Sequence, residues 1–249
     1  MFSDSIVVAS KFSTHIFPST GELDGALARQ VADILREAIA LNGCATLAVS
    51  GGSTPLGFFR QLSREQLRWD CVTVTLVDER WVDENSNDSN TKLVKNNLLQ
   101  NAASAAQFLS LKTVADSPFT AVPEVNARLS ELSLPLTVAV LGMGLDGHTA
   151  SFFPHAPTLS TALAPTQDEK VAAVHPLNAS HDRITLTLPL LLDAKLLVLH
   201  LVGEKKWQVL QAASQPGDIE AMPIRAVLQG RASSNQNSEL EVFYTASEA

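Results

Sequence analysis

The chain has 249 residues, and 26 acidic against 18 basic side chains give it a formal net charge of −8. With 45% hydrophobic and 18% charged residues, the composition is that of a globular protein and excludes a disordered or fibrous chain. The charge balance lacks the basic excess of a nucleic-acid-binding protein, so we expect no nucleic-acid partner.

The predicted elements begin with a helix in which apolar residues recur at helical spacing from Leu23 to Ala38. Ser19 or Thr20 is expected to start it, and Asn42-Gly43 to end it. The remaining elements, in chain order, are a strand at 46–49, a helix with Pro55 in its first turn, a strand at 72–77, helices at 90–99 and 118–132, strands at 136–141, 170–175, 184–188 and 196–202, helices at 204–213 and 222–228, and a strand at 240–244.

Strands and helices thus alternate, and the strands are apolar on both faces. This pattern predicts an α/β fold, Rossmann-like, with a largely parallel open sheet and helices on both faces. The polar stretch 231–238 is predicted to be a turn before the last strand, and no linker divides the chain. We therefore expect a single domain over residues 1–249.

The cellular setting follows from what is scarce in the sequence. Cys44 and Cys71 are the two cysteines, which indicates a reduced compartment rather than a disulfide framework. The sequence does not begin with a basic segment followed by a long apolar run, which would indicate a signal peptide. The longest apolar runs are too short to span a bilayer. We expect a cytoplasmic monomer with no membrane association and no obligate protein partner.

The first candidate site is the segment Ser50-Gly51-Gly52-Ser53, which continues into Thr54-Pro55 between a predicted strand and a predicted helix. Glycines let the backbone approach a ligand, and N–H groups at a helix start bind anions. The segment lacks the Gly-Lys-Ser/Thr ending of a nucleotide P-loop. It is either a phosphate-binding turn or an ordinary tight turn with a helix cap.

The second candidate site is Asp78-Glu79-Arg80-Trp81, at the end of the predicted strand 72–77. Arg80 can hold a carboxylate or phosphate, or stabilise an oxyanion, and Asp78 can contact the same ligand. A surface ion pair in a loop is the alternative. Asn90 closes a polar, turn-forming segment and is either a ligand-binding residue or a helix cap.

The third candidate site is the most informative, because three glycines within six residues follow the predicted strand 136–141. Gly144 is the second of these glycines, and Asp146 and His148 flank the third. Asp146 can accept a hydrogen bond from one ring nitrogen of His148 and leave the other nitrogen as a base. The alternative is a flexible loop with an incidental histidine; the other five histidines, His200 among them, are interpreted as surface or packing residues.

Basic residues flank two further strands: Arg183 precedes one, and Lys205 and Lys206 follow another. Each is a candidate phosphate ligand, with solvated charge as the alternative. The sequence lacks the Gly-x-Ser-x-Gly elbow that would indicate a serine acyl-enzyme. It also lacks the cysteine–histidine cluster that would indicate a metal site. We therefore expect neither a metal nor a cofactor.

These segments resemble, in order and over nearly the whole chain, the 6-phosphogluconolactonase family. The most specific part is Gly-His-Thr-Ala-Ser followed by Phe-Pro, at 147–154, and Asp-Glu-Arg-Trp supports it. The resemblance implies hydrolysis of 6-phospho-D-glucono-1,5-lactone, a sugar-phosphate lactone, to 6-phosphogluconate in the oxidative pentose phosphate pathway. His148 would activate water, Asp146 would orient His148, and Arg80 would steady the oxyanion or orient the sugar. The phosphate would be held by Gly51, Gly52, Ser53, Arg183 and one of the two lysines.

Two alternatives remain open. Glucosamine-6-phosphate deaminase, in the same superfamily, is similar in its glycine turn and Asp-Gly-His motif. It carries a further glutamate a few residues past its histidine, where this chain has Ser151, Phe152 and Phe153. Leu145 departs from the lactonase pattern, in which an acidic residue is common. The other alternative is a non-catalytic sugar-phosphate sensor, which usually carries a DNA-binding segment.

Overall fold

The computed structural model describes residues 12–164, 169–233 and 240–247. Its strands are Phe12–Ile16 (β1), Ala45–Val49 (β2), Val72–Leu76 (β3), Asp78–Arg80 (β4), Gln107–Leu109 (β5), Val138–Leu141 (β6), Val171–Val174 (β7), Arg183–Leu186 (β8), Leu196–Val202 (β9) and Leu240–Thr245 (β10). Its α-helices are Thr20–Asn42 (α1), Leu56–Leu62 (α2), Asn90–Asn97 (α3), Pro118–Leu129 (α4), Leu159–Leu163 (α5), Leu188–Leu192 (α6), Glu204–Ala213 (α7) and Ile224–Ser233 (α8). Short 3₁₀ helices span Trp69–Cys71 and Asn101–Ala105.

Seven strands form one sheet in the order β1-β10-β9-β6-β2-β3-β5, and every pairing in it is parallel. All residues of β2 and β6, and all but the last residue of β9, are buried. Successive side chains of a strand point to opposite faces, so the central strands are covered on both sides. The predicted parallel α/β fold is confirmed.

A second, smaller sheet was not predicted. In it β8 pairs antiparallel with β4 on one side and with β7 on the other. Its register places Arg80 directly opposite Arg183 and Asp78 opposite Thr185. A strand of three residues is too short to show alternation, so the sequence indicated only a polar strand end at 78–80.

The structure corrects several other predicted elements. The predicted strand 184–188 ends at Leu186, and Leu188 begins α6, whose first turn holds Pro189, a residue that cannot continue a sheet ladder. The predicted helix 222–228 begins at Ile224 and reaches Ser233. Residues 231–233 of the predicted polar turn are therefore helical, and 234–238 lie outside the described residues. Strands β1 and β5 and helix α5 were missed.

Helix α1 has the ends that its sequence predicts. Ser19, rather than Thr20, is the N-cap, and its hydroxyl accepts a hydrogen bond from the Glu22 amide at 3.3 Å. Gly43 ends the helix with a φ of 78°, which glycine adopts without strain. Asp24 lies on the buried face of this helix among apolar residues. Among the described residues, no helix has both the length and the apolar character needed to cross a membrane.

Candidate active site

One cavity of about 270 Å³ lies at the carboxyl ends of β2, β3 and β6, the place where parallel α/β sheets bind ligands. Ten of the thirteen predicted site residues line it: Ser50, Gly51, Gly52, Ser53, Asp78, Arg80, Asn90, Gly144, His148 and Lys206. The three that do not are Asp146, Arg183 and Lys205.

His148 and Asp146 form the pair that their spacing predicts. His148 Nδ1 lies 2.6 Å from Asp146 Oδ1, and the His148 backbone amide donates to the same oxygen at 3.1 Å. An anionic Asp146 accepts from Nδ1–H, which leaves the lone pair of Nε2 available as a base. Partial burial acts to raise the pKa of Asp146, but the hydrogen bond and charge of His148 outweigh it and hold that pKa below its usual value.

Gly144 makes room for this pair. A β-carbon added at Gly144 would lie 2.3 Å from His148 Nδ1 and Cε1, and 2.6 Å from Asp146 Oδ1. The Gly144 amide also donates to the His148 carbonyl at 2.9 Å, which closes the loop around the pair. The imidazole also stacks on Phe153, with ring centroids 4.7 Å apart. The Gly144 backbone and the Phe153 ring are therefore both in close contact with the imidazole.

The glycine turn after β2 faces the same cavity. Gly52 has a φ of 91°, a left-handed conformation that favours glycine. Ser50 ties the turn to the neighbouring loop, because its hydroxyl donates to the Val140 carbonyl at 3.1 Å and accepts from the Gly142 amide at 3.0 Å. The Ser50 hydroxyl thus acts within the protein, while Gly51, Gly52 and Ser53 line the cavity.

Arg80 is held in place by neighbouring acceptors. Its Nη1 donates to Asn90 Oδ1 at 2.6 Å and to the Asp88 carbonyl at 3.1 Å, while Asn90 Nδ2 donates to the Asp78 carbonyl at 2.8 Å. A β-carbon on Gly51 would lie 1.8 Å from Asn90 Oδ1, so the glycine turn and Asn90 are in direct contact. Asn90, predicted as a helix cap or a ligand, is the first residue of α3 and positions Arg80.

Glu79, which was not among the predicted site residues, anchors this arrangement. It is buried, and its carboxylate accepts from the backbone amides of Arg80, Asn90 and Thr91 at 2.7–2.8 Å. Burial raises the pKa of Glu79, and these amide hydrogen bonds oppose the rise. Asp78 is tied in a similar way, since the Ser151 hydroxyl donates to its Oδ2 at 2.6 Å.

The three predicted basic ligands lie in different environments. Lys206 lines the cavity, with its ammonium 3.3 Å from the Thr54 hydroxyl, whereas Lys205 is exposed. Arg183 is buried, and its Nη1 donates to the carbonyls of Ser180 and His181. Burial lowers the pKa of Arg183, which is opposed by the charge of Asp78.

Arg183 nevertheless lies close to Phe153 and Arg80. Its guanidinium carbon is 5.6 Å from the ring centroid of Phe153, the residue that stacks on His148, and its β8 position is opposite Arg80. His200 also lines the cavity, although it was interpreted as a surface or packing residue. It lies inside an apolar strand, where the sequence offers no signal of a site.

The fold and the cavity define an α/β protein in which a glycine turn suited to an anion faces a histidine–aspartate pair. The chain belongs to the family described as glucosamine-6-phosphate isomerases/6-phosphogluconolactonase, whose model matches residues 18–236. It is 48% identical to a 6-phosphogluconolactonase of Rhizobium meliloti, over 88% of this chain and 94% of the relative. It is also 48% identical to one of Mesorhizobium japonicum, over 88% of this chain and 91% of that relative.

Solved structures agree with these relatives. The crystal structure of a 6-phosphogluconolactonase from Shewanella baltica superimposes with a TM-score of 0.90 at 40% identity, covering 96% of this chain and 99% of that one. The resemblance predicted from the motifs is confirmed.

Proposed function

We propose that this protein hydrolyses 6-phospho-D-glucono-1,5-lactone to 6-phospho-D-gluconate. The observation that carries this proposal is that His148, which is hydrogen-bonded to Asp146, lines one cavity with the glycine turn at 51–53 and Lys206. An ester-hydrolysing base and an anion site in a single cavity suit a substrate that is both a lactone and a phosphate ester. The relatives that share almost half of the sequence carry this activity in their names.

The proposed reaction is a direct attack by water. His148 Nε2 takes a proton from the water as its oxygen bonds to the lactone carbonyl carbon. The tetrahedral intermediate expels the ring oxygen, which becomes a hydroxyl by taking that proton back from His148. The new carboxylic acid then ionises, so one proton is released per lactone at neutral pH. Asp146 keeps the ring in the productive tautomer and stabilises its transient positive charge.

Arg80 is proposed to stabilise the oxyanion. Its Nη1 is committed to Asn90 and Asp88, which fixes the guanidinium in advance of the reaction and avoids reorganisation as charge develops. Gly51, Gly52, Ser53 and Lys206 are proposed to hold the phosphate. A phosphate anchored several atoms from the carbonyl carbon would set that carbon against His148.

Arg183 and Lys205 have weaker support as phosphate ligands, since neither lines the cavity. Arg183 is buried beside the elements that carry Arg80 and His148, so its charge contributes to the positive potential of the site. We retain Arg183 as a proposed substrate-binding residue and favour Lys206 over the exposed Lys205.

The reaction is proposed to need no metal, and the enzyme to act as a cytoplasmic monomer. No group of three or more metal-ligating side chains occurs within residues 12–164, 169–233 and 240–247. Cys44 and Cys71 carry free thiols, as is usual in a reducing compartment.

A deaminase is disfavoured by the residues that follow His148. Ser151 and Phe152 are buried, and Phe153 stacks on the imidazole, so these positions supply no carboxylate to the cavity.

The test is proton release from freshly generated lactone, with the spontaneous rate subtracted, beside ammonia release from glucosamine 6-phosphate. Enzyme-dependent proton release is expected from the lactone. Ammonia release in its place would assign the deaminase reaction, and binding without turnover would assign a sensor.

A further inference from the structure

A buried acid–base pair lies behind the cavity and has no part in the reaction described above. Asp24 on α1 and His200 on β9 are 4% and 2% exposed, and Asp24 Oδ1 lies 3.5 Å from His200 Nε2. Among the described residues, no atom forms a hydrogen bond with either ring nitrogen of His200 or with Asp24 Oδ1. Burying polar groups without hydrogen bonds lowers the free energy of unfolding, so such groups are normally retained for a reason other than stability.

Asp24 is bound to the helix that follows the glycine turn. A β-carbon on Gly57, in the first turn of α2, would lie 1.8 Å from Asp24 Oδ2. The Phe58 backbone amide donates a hydrogen bond to the Asp24 carboxylate, and α2 has no side-chain cap of its own. Asp24 therefore holds the start of α2, and with it the turn that ends at Pro55, against α1.

His200 connects Asp24 to the cavity. Its ring lines the cavity wall together with Phe59, Thr54 and Lys206, and the edge of its ring contacts Phe58 at a centroid distance of 6.2 Å. Burial, aided by the charge of Lys206, lowers the pKa of His200 to about 3, so the ring is neutral at working pH. A neutral ring with its proton on Nε2, toward Asp24, keeps an acceptor lone pair on Nδ1, and an ammonium is the complementary donor.

We propose that Asp24 and His200 are positioning residues for the phosphate subsite: Asp24 orients the imidazole, and the imidazole sets the direction of the Lys206 ammonium beside the turn at Ser53 and Thr54. This inference rests on the proposed function, because it takes Lys206 as a phosphate ligand. It adds that two buried residues outside the glycine turn determine how strongly the substrate's phosphate is bound.

The test separates phosphate binding from turnover and from folding. His200→Phe keeps a ring against Phe58 and removes both nitrogens, so its melting temperature should equal or exceed that of the wild type. Its KM for the phosphorylated lactone should rise about tenfold, with kcat within about twofold, the pattern of lost uniform binding. Unphosphorylated glucono-1,5-lactone should be hydrolysed as by the wild type. His200→Asn, whose amide places a polar atom near the Nδ1 position, should recover most of the KM.

Four further variants, one of them a double variant, complete the experiment. Lys206→Met should raise KM about ten- to hundredfold, and adding His200→Phe to it should raise KM no further, because both changes remove one interaction. Asp24→Asn should raise KM severalfold and serves as the second probe of the pair. Leu199→Val, a buried change whose side chain points to the other face of β9, is the matched control and should leave KM unchanged.

Three results would overturn the inference: a wild-type KM in His200→Phe, equal losses on both lactones, or full additivity with Lys206→Met. Calorimetric binding of inorganic phosphate tests the pair without turnover, and His200→Phe should weaken it about tenfold. A wild type that binds phosphate but hydrolyses no lactone would count against the proposed function, whereas unchanged phosphate binding in His200→Phe would count against the pair.

Discussion

Gly144→Ala should disable the His148–Asp146 pair and leave the fold intact. The new β-carbon would lie 2.3 Å from His148 Nδ1, and ordinary van der Waals contact begins near 3.4 Å, so the imidazole must move by about 1 Å. Misplacing a catalytic group by about 1 Å can cost about 10²-fold in rate, and complete loss of a general base costs about 10²–10⁴-fold. We therefore expect kcat to fall at least about 10²-fold.

The assay is initial-rate proton release from fresh lactone, corrected for spontaneous hydrolysis, together with a thermal melt. Gly21→Ala is the control, because Gly21 lies in the first turn of α1, does not line the cavity, and nothing lies within 4 Å of its added β-carbon. The control should keep wild-type kcat, and both variants should melt near the wild-type temperature. Wild-type kcat in Gly144→Ala, or equal losses in both variants, would refute the steric reasoning.

Three other predictions follow from the same structure. Activity should survive exhaustive chelation, and loss with recovery on adding a divalent ion would contradict a metal-free reaction. Arg183→Ala should raise KM for the phosphorylated lactone by about ten- to hundredfold with less effect on kcat; equal damage on the unphosphorylated lactone would make Arg183 structural or catalytic. Burial lowers the pKa of His200 from 6.5 to about 3. Between these two pH values the unfolded chain binds a proton at His200 that the folded protein does not, so the free energy of unfolding of the wild type decreases as the pH falls from 6.5 toward 3. The melting temperature of His200→Phe should therefore gain on the wild type over that interval, and a pH-independent difference would contradict the shift.

The long elements were predictable because their signals are local. Helix α1 combines apolar periodicity with a serine cap and a terminal glycine, and β9 is a continuous apolar run. Strands β1, β4 and β5 were missed because they are short and partly polar, so their pairing depends on distant partners that a sequence window does not contain.

The site divides in the same way. The contact between Asp146 and His148 follows from a spacing of two residues across one glycine. Arg80 was predictable as a site residue because it follows a predicted strand. By contrast, Glu79 anchors the site by accepting hydrogen bonds from the backbone amides of Asn90 and Thr91, more than ten residues further along the chain. The pair of Asp24 and His200 likewise joins elements that are far apart in the chain. Such contacts arise only when the chain is folded, and an isolated histidine in an apolar strand gives no sign of them.

The most direct test of the proposed mechanism is the kcat of His148→Gln for 6-phospho-D-glucono-1,5-lactone, measured on folded protein. Glutamine keeps a polar side chain of similar length but cannot serve as a base near neutral pH. The account predicts a fall in kcat of about 10²–10⁴-fold with KM little changed. Turnover close to that of the wild type would contradict it, because the base for water would then lie elsewhere in the cavity.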